Sequence, residues 1–91
     1  MVGNMNNICN EIAGIVPKNL SEIHTLTEKL ETINVHAKFL FRDTVNNQSY
    51  YYYLVSNKYI LYLYFRDSQL RYIRVYREIP KQIICEKDLD S

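Results

Sequence analysis

Tryptophan is absent from this 91-residue chain, glycine and proline occur twice each, and there are only two cysteines and two histidines. Each scarcity closes off a class of chemistry. Gly3 and Gly14 form no phosphate-cradling loop, which needs clustered glycines. Cys9 and Cys85 lie near opposite ends with no C-x-x-C spacing, and neither His24 nor His36 has a cysteine or carboxylate at metal-ligand spacing, so a zinc site is not expected. Two histidines and two cysteines offer no defensible Ser-His-Asp or Cys-His constellation. No apolar run approaches the roughly 20 residues of a membrane span. The first residues, MVGNMNNICNEIAGIV, lack a basic leader and carry Glu11, which is not the pattern of a secretory signal. Cys9 and Cys85 could form one disulfide, but together these features favour reduced thiols and predict a cytoplasmic protein without cofactors, not an enzyme.

Charge is balanced in total, at +1, but not along the chain. Residues 1–34 hold two lysines against four glutamates, a net −2. Residues 35–77 hold Lys38, Arg42, Lys58, Arg66, Arg71, Arg74 and Arg77 against Asp43 and Asp67, a net +5. From residue 78 onward the balance returns to −2. The basic charge therefore belongs to the middle of the chain, between acidic flanks. An anionic partner fits this segregation, and so does an acidic helix packed beside its own basic sheet.

Aromatic weight rests on nine tyrosines against three phenylalanines. Tyrosine suits half-buried surfaces, because its ring is apolar while its hydroxyl needs a partner.

Ile8, Ile12, Ile15 and Val16 fall at helical spacing and predict a helix over about 4–16, ended by Pro17. Leu20, Ile23, Leu26, Leu30 and Ile33 form the stripe of a second helix over about 20–33, with Ser21 as the candidate N-cap. From Val35 the period falls to two. Strands are predicted over about 35–42, 49–55, 59–66 and 70–79, with turns at 43–48, 56–58 and 67–69. QIIC (82–85) is either a short edge strand or a docked tail, and 86–91 is a loose acidic tail. The expected fold is α+β in one small domain, residues 1–91: two short N-terminal helices packed on a four-stranded antiparallel meander sheet.

The stretch YILYLYFRDSQLRYIRVYR (59–77) carries the functional expectation. Alternation puts Leu61, Leu63, Phe65, Ile73 and Val75 on one face, joined by Phe39 and Phe41 from the first strand. The opposite face presents Tyr62, Tyr64, Arg66, Tyr72, Arg74 and Tyr76, with Lys38, Arg42 and His36 from the first strand. Rings of this kind stack nucleobases, at ~1–3 kcal/mol each, while cations track phosphates. The leading expectation is an accessory factor that binds nucleic acid on this face. Tyrosine and arginine also dominate protein–protein hot spots, so the alternative is a protein-interaction module: an inhibitor, an immunity-type protein, a stabilising subunit, or a homodimer.

Two local features are less specific. Tyr50 to Tyr53 serve either strand phase and mark a central strand buried on both sides, or one edge of a dimer. LFRDT (40–44) and YFRDS (64–68) read as an echo: a duplicated hairpin presenting two arginine–aspartate corners or, the favoured reading, two places where aspartate and a hydroxyl residue start a turn. A metal-nuclease reading of Asp43 and Asp67 fails on carboxylate number, since two-metal sites need more.

Overall fold

The computed structural model describes residues 8–89. Positions 4–7 of the expected first helix and residues 90–91 of the tail lie outside them. α1 runs Ile8–Ile15 and buries Cys9, Ile12 and Ala13. Pro17 lies just beyond its end, and the Lys18 ammonium donates to the Ala13 and Val16 carbonyls at 2.5 and 3.1 Å, satisfying acceptors that the helix leaves open.

The second helix is not continuous. A 3-10 helix, Leu20–Thr25, leads into α2, Leu26–Glu31, of which Leu26 and Leu30 are buried. Its cap is Asn19 rather than Ser21: the Asn19 side-chain oxygen accepts from the Ser21 N–H at 3.0 Å and from the Ser21 hydroxyl at 3.0 Å.

Five strands follow, not four: β1 Ala37–Val45, β2 Gln48–Val55, β3 Tyr59–Arg66, β4 Gln69–Arg77 and β5 Gln82–Asp88. They form an antiparallel meander in sequence order. Glu86, Lys87 and Asp88, expected to be loose, pair with β4 instead. The first turn shrinks to Asn46 and Asn47, so Asp43 and Thr44 belong to β1 while Asp67 and Ser68 form the β3–β4 turn. The two FRD segments are therefore not equivalent corners.

Both helices cover one sheet face. Ile12, Leu26, Leu30, Leu61, Leu63, Phe65, Ile73 and Val75 pack together there, fully buried. Phe39 and Phe41, expected in this core, are 49% and 56% exposed. Phe39 keeps to the helix side on the edge strand, its ring 5.6 Å from that of Tyr53. For Phe41 the reason is a bulge: Phe39 pairs with Tyr53 but Phe41 with Tyr52, which leaves Leu40 as an extra residue. Phe41 is thereby carried to the sheet face opposite the helices.

The two cysteines are bonded to each other, against the expectation of free thiols. Cys9 on α1 and Cys85 on β5 form a disulfide with a Cα–Cα distance of 6.0 Å, a span that fits this bond. It fastens the first described element to the last strand.

Candidate binding face

Side chains of paired residues share a face, so the registers of the four ladders sort the sheet into rows. On the face away from the helices, one row runs Lys38, Leu54, Ile60, Tyr76, Ile83. The next runs Phe41, Tyr52, Tyr62, Arg74, Glu86, and a third Asp43, Tyr50, Tyr64, Tyr72, Asp88. The last holds Val45, Gln48, Arg66 and Gln69.

Of the sequence-predicted residues, Tyr62, Tyr64, Tyr72, Arg74 and Tyr76 come together, lining a shallow concavity of about 430 Å³. Tyr50, Tyr52 and Gln48 complete its wall. These two tyrosines were hidden in the YYYY run, whose phase is unreadable without the register: Tyr51 and Tyr53 are buried toward the helices while Tyr50 and Tyr52 are half-buried on the open side. The strand is thus not buried equally on both faces. Lys38 and Arg66 lie on the same face at its margins, both exposed.

Arg42 does not join them. It pairs with Tyr51 and so belongs to the helix side, because the Leu40 bulge reverses the alternation after Phe39. His36 precedes β1, with its Nδ1 3.2 Å from the Glu31 carboxylate. The basic charge of the middle segment is divided further, since Lys58 and Arg77 lie over the Tyr59 ring at 5.6 and 5.9 Å from its centroid.

The rings hold one another. Tyr52 and Tyr62 have centroids 5.1 Å apart, Tyr50 and Tyr64 5.4 Å, and Tyr62 and Tyr72 6.0 Å in an edge-to-face arrangement. Hydroxyls at the rim are engaged: Tyr50 donates to the Gln48 side chain at 2.6 Å, and Tyr72 donates to the Glu86 carboxylate. Arg74 Nε donates to the Tyr72 hydroxyl at 2.9 Å and lies 3.8 Å from Glu86. That bond to Tyr72 favours the charged guanidinium and holds the Arg74 pKa above its ordinary value. Burial pushes the Tyr72 hydroxyl up, and its bond to Glu86 adds to the effect. Tyr62 goes further, to about 12, chiefly through burial and then through its neighbours Tyr52 and Tyr50.

Glu86 and Asp88, read from sequence as part of a loose tail, are charged residues of this face that the sequence expectation did not include. Asp43 is the third. Its carboxylate accepts from the Thr44 N–H at 2.9 Å, and Asp67 accepts from the Asn47 amide, so each aspartate is engaged locally. Among the described residues no cluster of three or more His, Cys, Asp and Glu side chains is arranged to hold a metal ion. No helix among them is long and apolar enough to cross a membrane. No family model, curated protein or solved structure matches the chain.

Proposed function

We propose that the chain is a non-enzymatic binding module whose open tyrosine face engages a protein partner. The charge inventory of that face carries the reading. Lys38, Arg66 and Arg74 stand against Asp43, Glu86 and Asp88 in the rows, Glu78 lies beside Phe41, Tyr52 and Tyr76 at their margin, and Arg74 is already matched by Glu86, so the face has no excess of cations. Affinity for nucleic acid rests on the number of phosphates neutralised, and a face with as many carboxylates as cations neutralises few. Aromatic anchors ringed by matched charges suit a protein surface, where rings supply contact area and rim charges set register. Leu40, Phe41 and Ile83 extend the apolar part of the face, at 46%, 56% and 51% exposed.

The nucleic-acid reading retains the rings and three of its four cations, and it is the competitor that the first experiment must remove. Fluorescent single-stranded DNA and RNA are titrated by anisotropy at roughly 50 and 200 mM salt. The expected result is no binding at either. Micromolar binding that collapses with salt would overturn the protein-partner reading. In parallel, the wild-type chain and a Tyr64→Ser/Tyr72→Ala variant serve as baits in an extract of the source cells. A partner retained in high salt by the wild type alone is the expected outcome. The Cys9–Cys85 bond also supports an oxidising compartment over the reducing cytoplasm that free thiols would suit.

A further inference from the structure

The outer edge of β1 pairs with no strand among the described residues, although β1 is nine residues long and exposes Phe39, Leu40, Phe41 and Val45. Edges of this length are usually blunted, because their free N–H and C=O groups template pairing with another chain. We propose that this edge pairs with the β1 edge of a second copy of the chain, antiparallel about a two-fold axis, and that the Leu40 bulge sets the register. The inference stands independently of the tyrosine face as a protein-binding site.

Two ends of β1 fix which residues turn their backbone outward. The His36 carbonyl accepts the Ser56 N–H at 2.8 Å, so His36 is turned toward β2. Alternation then turns Ala37 and Phe39 outward. At the other end Val45 and Gln48 flank the two-residue turn, which closes on a hydrogen-bonded pair, so Thr44 and Arg42 are turned outward. Outward positions are odd-numbered before the bulge and even-numbered after it. Leu40, the extra residue, reconciles the two.

The same shift makes the edge self-complementary. Residues 38 and 43 are an odd number apart and in a regular strand would lie on opposite faces; the bulge brings both to the tyrosine face. An antiparallel partner with Leu40 opposite Phe41 then sets Lys38 of each copy against Asp43 of the other. Ala37 meets Thr44 and Phe39 meets Arg42 as hydrogen-bonded pairs, each exchanging two N–H···O bonds; at the first, the Thr44 N–H gives up its 2.9 Å bond to the Asp43 carboxylate for the Ala37 carbonyl, which turns that carboxylate over to Lys38. The Lys38–Asp43 pairs fall at the closer, non-hydrogen-bonded positions, where opposite charges gain most. On the helix side Arg42 comes over the Phe39 ring, a cation–aromatic contact. All four kinds of pair match in face, and every charge on the edge finds its opposite or a ring. The sheet and its tyrosine rows then run without a break through Phe41 of both copies.

Sedimentation equilibrium on the full, oxidised chain tests this, from about 10 μM to about 1 mM, since the apparent mass of a reversible dimer rises with concentration. The expected result is a rise to twice the monomer mass. Lys38→Asp alone, or Asp43→Lys alone, sets like charges together at both pairs, and either should weaken association roughly tenfold or more. Mixed in equal amounts, the two variants restore opposite charges at both pairs, and association should return. A chain that stays monomeric throughout, a dimer indifferent to both single changes, or a mixture no better than its parts would overturn the proposal. Hydrogen exchange of the wild type gives a reading free of variant folding. The Ala37, Phe39, Arg42 and Thr44 amides should gain protection with concentration while the Lys38 amide does not; equal behaviour of all five overturns the register. Tyr64→Ser should leave the mass unchanged, which separates this edge from the tyrosine face.

Discussion

Tyr62 occupies the middle of the ring bed, touching Tyr50, Tyr52 and Tyr72. Its hydroxyl is raised from an ordinary value near 10 to about 12, and burial pushes Tyr53 on the other face to about 12 as well. Below pH 10 both the folded and unfolded chains hold these protons, and the contribution to stability is complete. Between about 10 and about 12 the unfolded chain has released them and the native chain has not, so stability falls as pH rises through that window. Absorbance titration of the tyrosinates should show a late phase near pH 12, and the urea midpoint should drop between pH 10 and 12. Tyr62→Phe should shrink that drop. A variant with an unchanged pH profile would show that Tyr62 titrates as an exposed phenol. That a tyrosine would be shielded among tyrosines was legible from the alternation of 59–66, but which of Tyr50 to Tyr53 shield it was not, because Tyr50 with Tyr52 and Tyr51 with Tyr53 satisfy a period of two equally well.

Among the elements, the segment between α1 and α2 shows how tertiary contacts override a helical stripe. Leu20, Ile23, Leu26, Leu30 and Ile33 repeat at helical spacing, yet the first six residues, Leu20–Thr25, form a tighter 3-10 helix. The Leu20 N–H donates to the Ser68 carbonyl and the Leu70 N–H to the Lys18 carbonyl, both at 2.8 Å, tying the start of the segment to the β3–β4 turn. With Leu20 committed there, Asn19 captures Ser21 and the helix starts from that anchor. Asn19→Ala should therefore cost about 1 kcal/mol, read as a lower urea midpoint at an unchanged slope. No loss would mean that the Leu20 and Leu70 bonds alone position the segment. β1 teaches the same lesson for strands. Its alternation predicted Phe39, Phe41, Lys38 and Arg42 in two clean sets, and the extra residue at Leu40 exchanged Phe41 with Arg42. A bulge depends on the strand it pairs with, so a single strand's sequence carries no mark of it.

For the molecule as a whole, the Cys9–Cys85 bond is the long-range constraint. It spans 76 residues, and a loop of that size confines the unfolded chain by roughly 4.5 kcal/mol in the chain-entropy description. A domain this small has little core to spare, so reduction should lower the urea midpoint sharply. The Cys9→Ala/Cys85→Ala variant should match the reduced wild type. If reductant left the midpoint unmoved, the bond would be irrelevant to the fold. β5 owes its place to this closure and to α1, which packs Ile8, Cys9 and Ile12 into the same cluster as Ile84 and Cys85.

The sequence by itself determined the α+β class, the change of period at Val35, the meander order and the apolar set Leu61, Leu63, Phe65, Ile73 and Val75, because those follow from side-chain alternation and turn residues within a few positions of each other. The tertiary structure alone decided the fifth strand, the disulfide, the crossing of Phe41 and Arg42 to opposite faces, and the carboxylates that offset the cations of the tyrosine face. Each of these depends on which distant residue stands opposite, and that is a property of register rather than of local pattern.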